Sequence, residues 1–97
     1  MKTLSNINCY NLKSPRTGRA VANQFAIYIA TKKGCKRVFK SYETFVAMVD
    51  ESGCVTLDKS YRKSATTEKY LNQFLGNTKP ERKKLIEQNV YKLADLN

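Results

Sequence analysis

Three cysteines, eight carboxylates and no histidine are the groups from which any chemistry in this 97-residue chain would have to be built. Cys9, Cys35 and Cys54 lie far apart, with no C-x-x-C pair. A structural zinc ion takes four Cys or His ligands, so the chain holds too few for such a site. A nucleophilic cysteine needs an activating base beside it, and without histidine, acid/base work falls to Asp, Glu, Cys, Tyr or Lys. The carboxylates fall mostly at turns and on helix surfaces with no convincing pair, and no G-x-x-x-x-G-K phosphate loop is present. These absences predict a binding protein, not an enzyme, with no catalytic residue, metal or cofactor.

What the chain has in excess is positive charge. Eighteen Lys and Arg against eight Asp and Glu give a formal net charge of +10. Residues 1–42 hold nine cations and no carboxylate, whereas 43–97 hold nine cations and all eight carboxylates. A field of one sign attracts polyanions and speeds association with them, so the expected partner is nucleic acid, a nucleoprotein complex or an acidic protein face. The expected contact surface is Arg16, Arg19, Lys32, Lys33, Lys36, Arg37 and Lys40, with Tyr28 as a stacking platform and Arg62 and Lys63 beside a helix start. Tyr28 and Tyr42 are placed on an outer sheet face by this reading. The competing reading makes the tyrosines core and the cations a solvated surface.

The elements that must position these residues follow from period and punctuation. Residues 4–12 alternate weakly and predict an edge strand or ordered arm, whose open edge makes a homodimer conceivable. KSPRTGR at 13–19 is a basic turn. Residues 22–31 alternate with period two, which predicts a strand with Phe25, Ile27 and Ile29 toward the core. Lys32-Lys33-Gly34 turns into a long strand over 36–49, apolar at every position from Phe45 to Val49 and bent by a bulge near Glu43-Thr44. Asp50 to Gly53 turns again into CVTLD at 54–58, with Val55 and Leu57 inward.

After Asp58 the period changes. Tyr70, Leu71, Phe74 and Leu75 form one helical stripe, with Ser64 or Thr66 as N-cap and Gly76 at the C-terminus. Thr78 and Glu81 have capping-box spacing around Pro80 and start a second helix, with Arg82, Lys83 and Lys84 in its first turns and Leu85 and Ile86 as anchors. Val90, Tyr91, Leu93 and Leu96 are expected to tuck an extended tail onto the core. The sum is one small α+β domain over 1–97: an antiparallel meander of three to four strands followed by two C-terminal helices packed on one face. No apolar run approaches the ~20 residues that span a bilayer, and no disulfide is expected, with Cys54 read as a small buried residue.

The pieces QF at 24–25, VFKSYETFVA at 38–47, VTLD at 55–58, the Y-x-x-S-x-T-T-x-K-Y-L-N-Q-F-L-G pattern at 61–76 and DLN at 95–97 resemble a family of small proteins, mostly of unknown function, from bacteriophages and other bacterial mobile elements. The resemblance implies an accessory role in the cytoplasm of the host bacterium and supplies no catalytic residues. Two functions compete on these grounds. One is direct binding of nucleic acid or nucleoprotein; the other is stoichiometric inhibition of a host defence protein, of the anti-CRISPR sort.

Overall fold

The computed structural model describes residues 7–62 and 64–97. Positions 4–6 of the expected arm and the predicted contact residue Lys63 lie outside the described residues. Six strands form one sheet whose spatial order is the chain order: β1 (Ile7–Lys13), β2 (Ala20–Thr31), β3 (Gly34–Ser41), β4 (Thr44–Val49), β5 (Val55–Asp58) and β6 (Lys92–Ala94). The first five are antiparallel neighbours, and β6 joins β5 in parallel. Between β5 and β6 run the helices α1 (Ala65–Leu75) and α2 (Lys79–Glu87). The fold is α+β, with more strands than the three or four expected.

Two extra strands come from one misreading and one underestimate. The predicted strand over 36–49 is a hairpin: Ser41 pairs with Thr44, and Tyr42-Glu43 is a two-residue turn. Tyr42 takes φ 55° there, a left-handed conformation that bulky side chains rarely adopt, which is why the turn carries no glycine signal to read. A register shift does exist, but at Val46, where Lys40 pairs with Phe45 and Phe39 with Ala47. The shift lets both Val46 and Ala47 be buried, while Phe45 is exposed and Met48 half-buried. The C-terminal tail is the sixth strand. Parallel pairing with β5 exposes Val90 and Leu93, contrary to their expected tucking.

The tail is held by two side chains. Asp58 accepts from the Leu96 amide at 2.8 Å, and the Asn97 side chain accepts from the Phe45 amide at 2.8 Å and donates to the Phe45 carbonyl at 3.0 Å. The terminal DLN thus fastens the last strand to β5 and β4 like an extra rung.

The core lies between the sheet and α1. Phe39 stacks on Phe74 with centroids 5.6 Å apart, and Ala26 and Ala47 flank Phe39 in register. Small residues on either side leave room for the helix to approach, and Val46, Val49, Val55, Leu57, Tyr70 and Leu71 complete the cluster. This packing reverses the predicted facing of β2. Gln24, Ala26 and Tyr28 look toward α1, so Phe25, Ile27 and Ile29 lie on the opposite, outer face, each half-buried. Both sets are largely apolar, so alternation alone could not choose between them.

Helix ends follow the sequence closely. Ser64 Oγ accepts from the Thr67 amide at 3.1 Å, and the Thr67 hydroxyl reaches Ser41 on β3 at 3.0 Å, so the cap also docks the helix. Gly76 ends α1 at φ 74° in the left-handed region. The Thr78–Glu81 capping box forms at the start of α2. Arg82, in the first turns of α2 with Lys83 and Lys84, is the most buried side chain of that helix at 1% exposed. Its guanidinium donates to Asn72 Oδ1 and, at 3.3 Å, to Asn77 Oδ1, and lies 3.8 Å from Glu68, latching α2 to α1. Desolvation pulls its pKa below the usual guanidinium value, with Glu68 opposing.

Candidate nucleic-acid interface

Because the sheet is a meander with tight hairpins, its turns fall alternately at two ends. The 14–19 turn, the Tyr42-Glu43 turn and the segment after Asp58 share one end; Lys32-Lys33 and the 50–53 turn share the other. β2 bulges opposite Asn11–Lys13, so the six rungs from Lys13 to Ile7 and two more to Thr31, at about 3.3 Å each, separate the ends by roughly 26 Å. Arg16 and Arg19 therefore sit far from Lys32 and Lys33, and the predicted surface does not converge on one spot.

Register sorts the remaining residues by face, since directly paired residues share one. Lys36 and Lys40 pair with Ile29 and Phe25 and belong to the outer face. Arg37 pairs with Tyr28 and belongs to the helix side, where its guanidinium lies 5.2 Å from the centre of the Phe74 ring. Tyr28 packs against the core and meets Tyr10 edge-on at 5.8 Å. Both depart from their expected placement on the cationic face: the helix side needs Arg37 as a lid over Phe74 and Tyr28 to extend the core. Tyr42 is exposed, but on the turn and not on the sheet. Arg62 is exposed with its guanidinium 5.6 Å from the Tyr61 ring centre, at the end that carries Arg16 and Arg19.

The two ends differ electrically. At the Lys32-Lys33 end, the Thr31 hydroxyl donates to Glu51 at 2.6 Å and holds its carboxyl below the usual range, with Lys36 adding to the effect. Asp50 stands in the same turn, accepting from the Ser52 and Cys54 amides and from the Ser52 hydroxyl, and is likewise lowered by those bonds. Two carboxylates thus offset Lys32, Lys33 and Lys36. At the opposite end, Lys13, Arg16, Arg19, Lys40, Lys59 and Arg62 outnumber Glu43, Asp58 and Asp95 by three, against an excess of one around Lys32, Lys33 and Lys36. The unneutralised charge is concentrated here.

Aromatic side chains accompany it. Phe25, Lys40 and Phe45 form one cross-strand row on the outer face, with Lys40 Nζ 5.5 Å from the Phe45 ring centre. Asn11 extends the row onto β1, and by alternation Lys13 lies on the same face. Phe45 is 37% exposed and Tyr42 56%. Beyond this row the outer face turns aliphatic, with Ile27, Val38 and Met48 in register. Sequence reading missed Phe25 and Phe45 because both were counted as core. Their signal was the apolar content of both faces of β2 and β4, more than one helix layer can cover.

The cysteines do no visible chemistry. Cys9, Cys35 and Cys54 are free and exposed, so Cys54 is not the buried residue expected; it sits in the loop before β5, outside the core. Among the described residues no cluster of metal-ligating side chains occurs, and no helix is long and apolar enough to cross a membrane.

A family of unknown function, DUF8033, matches the chain over residues 11–91. No curated protein and no solved structure matches it.

Proposed function

We propose that this chain, which belongs to the DUF8033 family across residues 11–91, is a non-enzymatic accessory protein that binds single-stranded nucleic acid, free or within a nucleoprotein complex. The observation that carries the reading is the Phe25–Lys40–Phe45 row beside Lys13, Arg16 and Arg19, at the end of the sheet where cations are least offset. Cations spaced around exposed rings hold a phosphate backbone while bases stack, a combination that needs no base-specific contact. Tyr42 extends the aromatic set onto the turn, and Arg62 extends the cationic set toward the start of α1. The resemblance to phage and mobile-element proteins supports an accessory role in a host bacterial cell, in the cytoplasm.

A second reading rests on the aliphatic part of the same face. Ile27, Ile29, Val38 and Met48 give nothing for bases to stack on but suit a protein surface. It makes the chain a stoichiometric inhibitor of a host defence protein with an acidic rim. Fluorescence anisotropy with labelled single-stranded DNA, single-stranded RNA and duplex at low salt separates the two. Micromolar affinity for single strands supports nucleic-acid binding; negligible affinity for all three probes leaves inhibition of a protein.

A further inference from the structure

The sheet has two edges, and they are not alike. β6 offers three residues and carries Lys92. β1 offers seven, pairs on one side only among the described residues, and is exposed at every position except Leu12. Natural edge strands are blunted by charge, proline or shortness, because their free N–H and C=O groups template further pairing. From Ile7 to Leu12, INCYNL, β1 has none of these protections, in a protein whose net charge is +10. The one long edge is also a stretch without charge.

We infer that β1 pairs antiparallel with β1 of a second copy, joining two six-stranded sheets into one continuous sheet. A two-fold perpendicular to the sheet makes the interface self-complementary and consumes the long edge of each copy, so growth stops at a dimer and does not run on into fibres. Full overlap of Ile7–Lys13 centres the axis on Tyr10. Tyr10 then meets its own symmetry mate, Asn8 meets Leu12, Cys9 meets Asn11, and Lys13 meets Ile7. The two Lys13 side chains lie about 20 Å apart along the strands, well beyond the ~8 Å Debye length at physiological salt. Sliding the register toward the C-terminus brings the lysines together; sliding it the other way loses overlap.

The same axis turns the outer faces of both copies to one side. The row of Phe25, Lys40 and Phe45 is then present twice on one surface. The dimer does not depend on what that surface binds, and its salt dependence has the opposite sign. Two strongly cationic bodies repel, so added salt strengthens β1 pairing where it weakens binding to a polyanion.

Sedimentation of the full chain at about 50 mM and about 500 mM NaCl reads this directly. The expected result is a monomer–dimer equilibrium that shifts toward dimer at the higher salt. Tyr10→Lys, which places like charges opposite each other at the axis of an exposed position, lowers association by at least about tenfold while circular dichroism stays unchanged. In a chain carrying Cys9→Ser, Cys35→Ser and Cys54→Ser, the further change Tyr10→Cys yields a disulfide-linked dimer under mild oxidation, because opposite Cα atoms in an antiparallel pair lie about 4.5–5.5 Å apart. A monomer at both salts, a Tyr10→Lys chain that associates as wild type, or a dimer that does not cross-link through position 10 each overturns the inference.

Discussion

If the cations around the Phe25–Lys40–Phe45 row grip a single strand, their number sets the salt dependence of binding. Lys13, Arg16, Arg19 and Lys40 provide four phosphate contacts on one face and its adjoining turn. Each contact on single-stranded nucleic acid contributes roughly −0.7 to the slope of log K against log salt, so four give about −2.8. Raising salt fourfold then weakens binding by about fifty-fold. Replacing Arg16 and Arg19 with alanine halves the slope to about −1.4, and the same change in salt costs only about sevenfold. Both are exposed in the turn between β1 and β2, so the fold should not notice. The control deletes the same charge at the other end of β2, with Lys32→Ala and Lys33→Ala, where Glu51 and Asp50 already offset the field. Anisotropy titrations across a salt series measure all three slopes. A larger loss of slope from the Lys32 and Lys33 pair than from the Arg16 and Arg19 pair refutes the argument that neighbouring carboxylates decide which end binds.

Three further expectations concern the scaffold. Arg82→Leu should destabilise the fold by about 2–4 kcal/mol in urea unfolding, because it removes the latch to Asn72 and Asn77 and leaves Glu68 with a half-lost partner; a cost under about 1 kcal/mol would mean the latch is idle. Ser60 first, then the Leu96 amide, lower the pKa of Asp58 to about 2, so its stabilising contribution is complete above the unfolded value near 4 and is lost as pH falls toward 2. Asp58→Asn should therefore narrow its stability gap to wild type as pH drops through that window, and a gap that stays constant from pH 7 to about 2 contradicts the assignment. Tyr42→Asn should raise stability by roughly 0.5–1 kcal/mol, since asparagine tolerates φ 55° better, while weakening nucleic-acid binding several-fold; unchanged affinity removes Tyr42 from the interface.

Much of the fold was legible because it is local. The caps at Ser64 and Thr78, the left-handed Gly76, the 50–53 turn and the stripe of Tyr70, Leu71 and Phe74 are each set by a few neighbouring residues. The Tyr42-Glu43 turn was not legible, because a tyrosine held at positive φ gives no composition signal and must be compensated by pairing on both sides. The site was half legible. Charge sorting along the chain grouped Arg16, Arg19 and Lys40 with Lys32 and Lys33, but could not say that the last two stand at the far end of β2 beside two carboxylates.

By itself the sequence determined a cationic chain with the strand and helix periods of an α+β fold, since periodicity and net charge are properties of the chain. Only the tertiary structure decided which face of β2 meets the helix. Ala26 and Ala47 admit Phe74 onto Phe39, so the larger Phe25, Ile27 and Ile29 are turned outward, and the surface available to a partner is fixed by the shape of the core that excludes them.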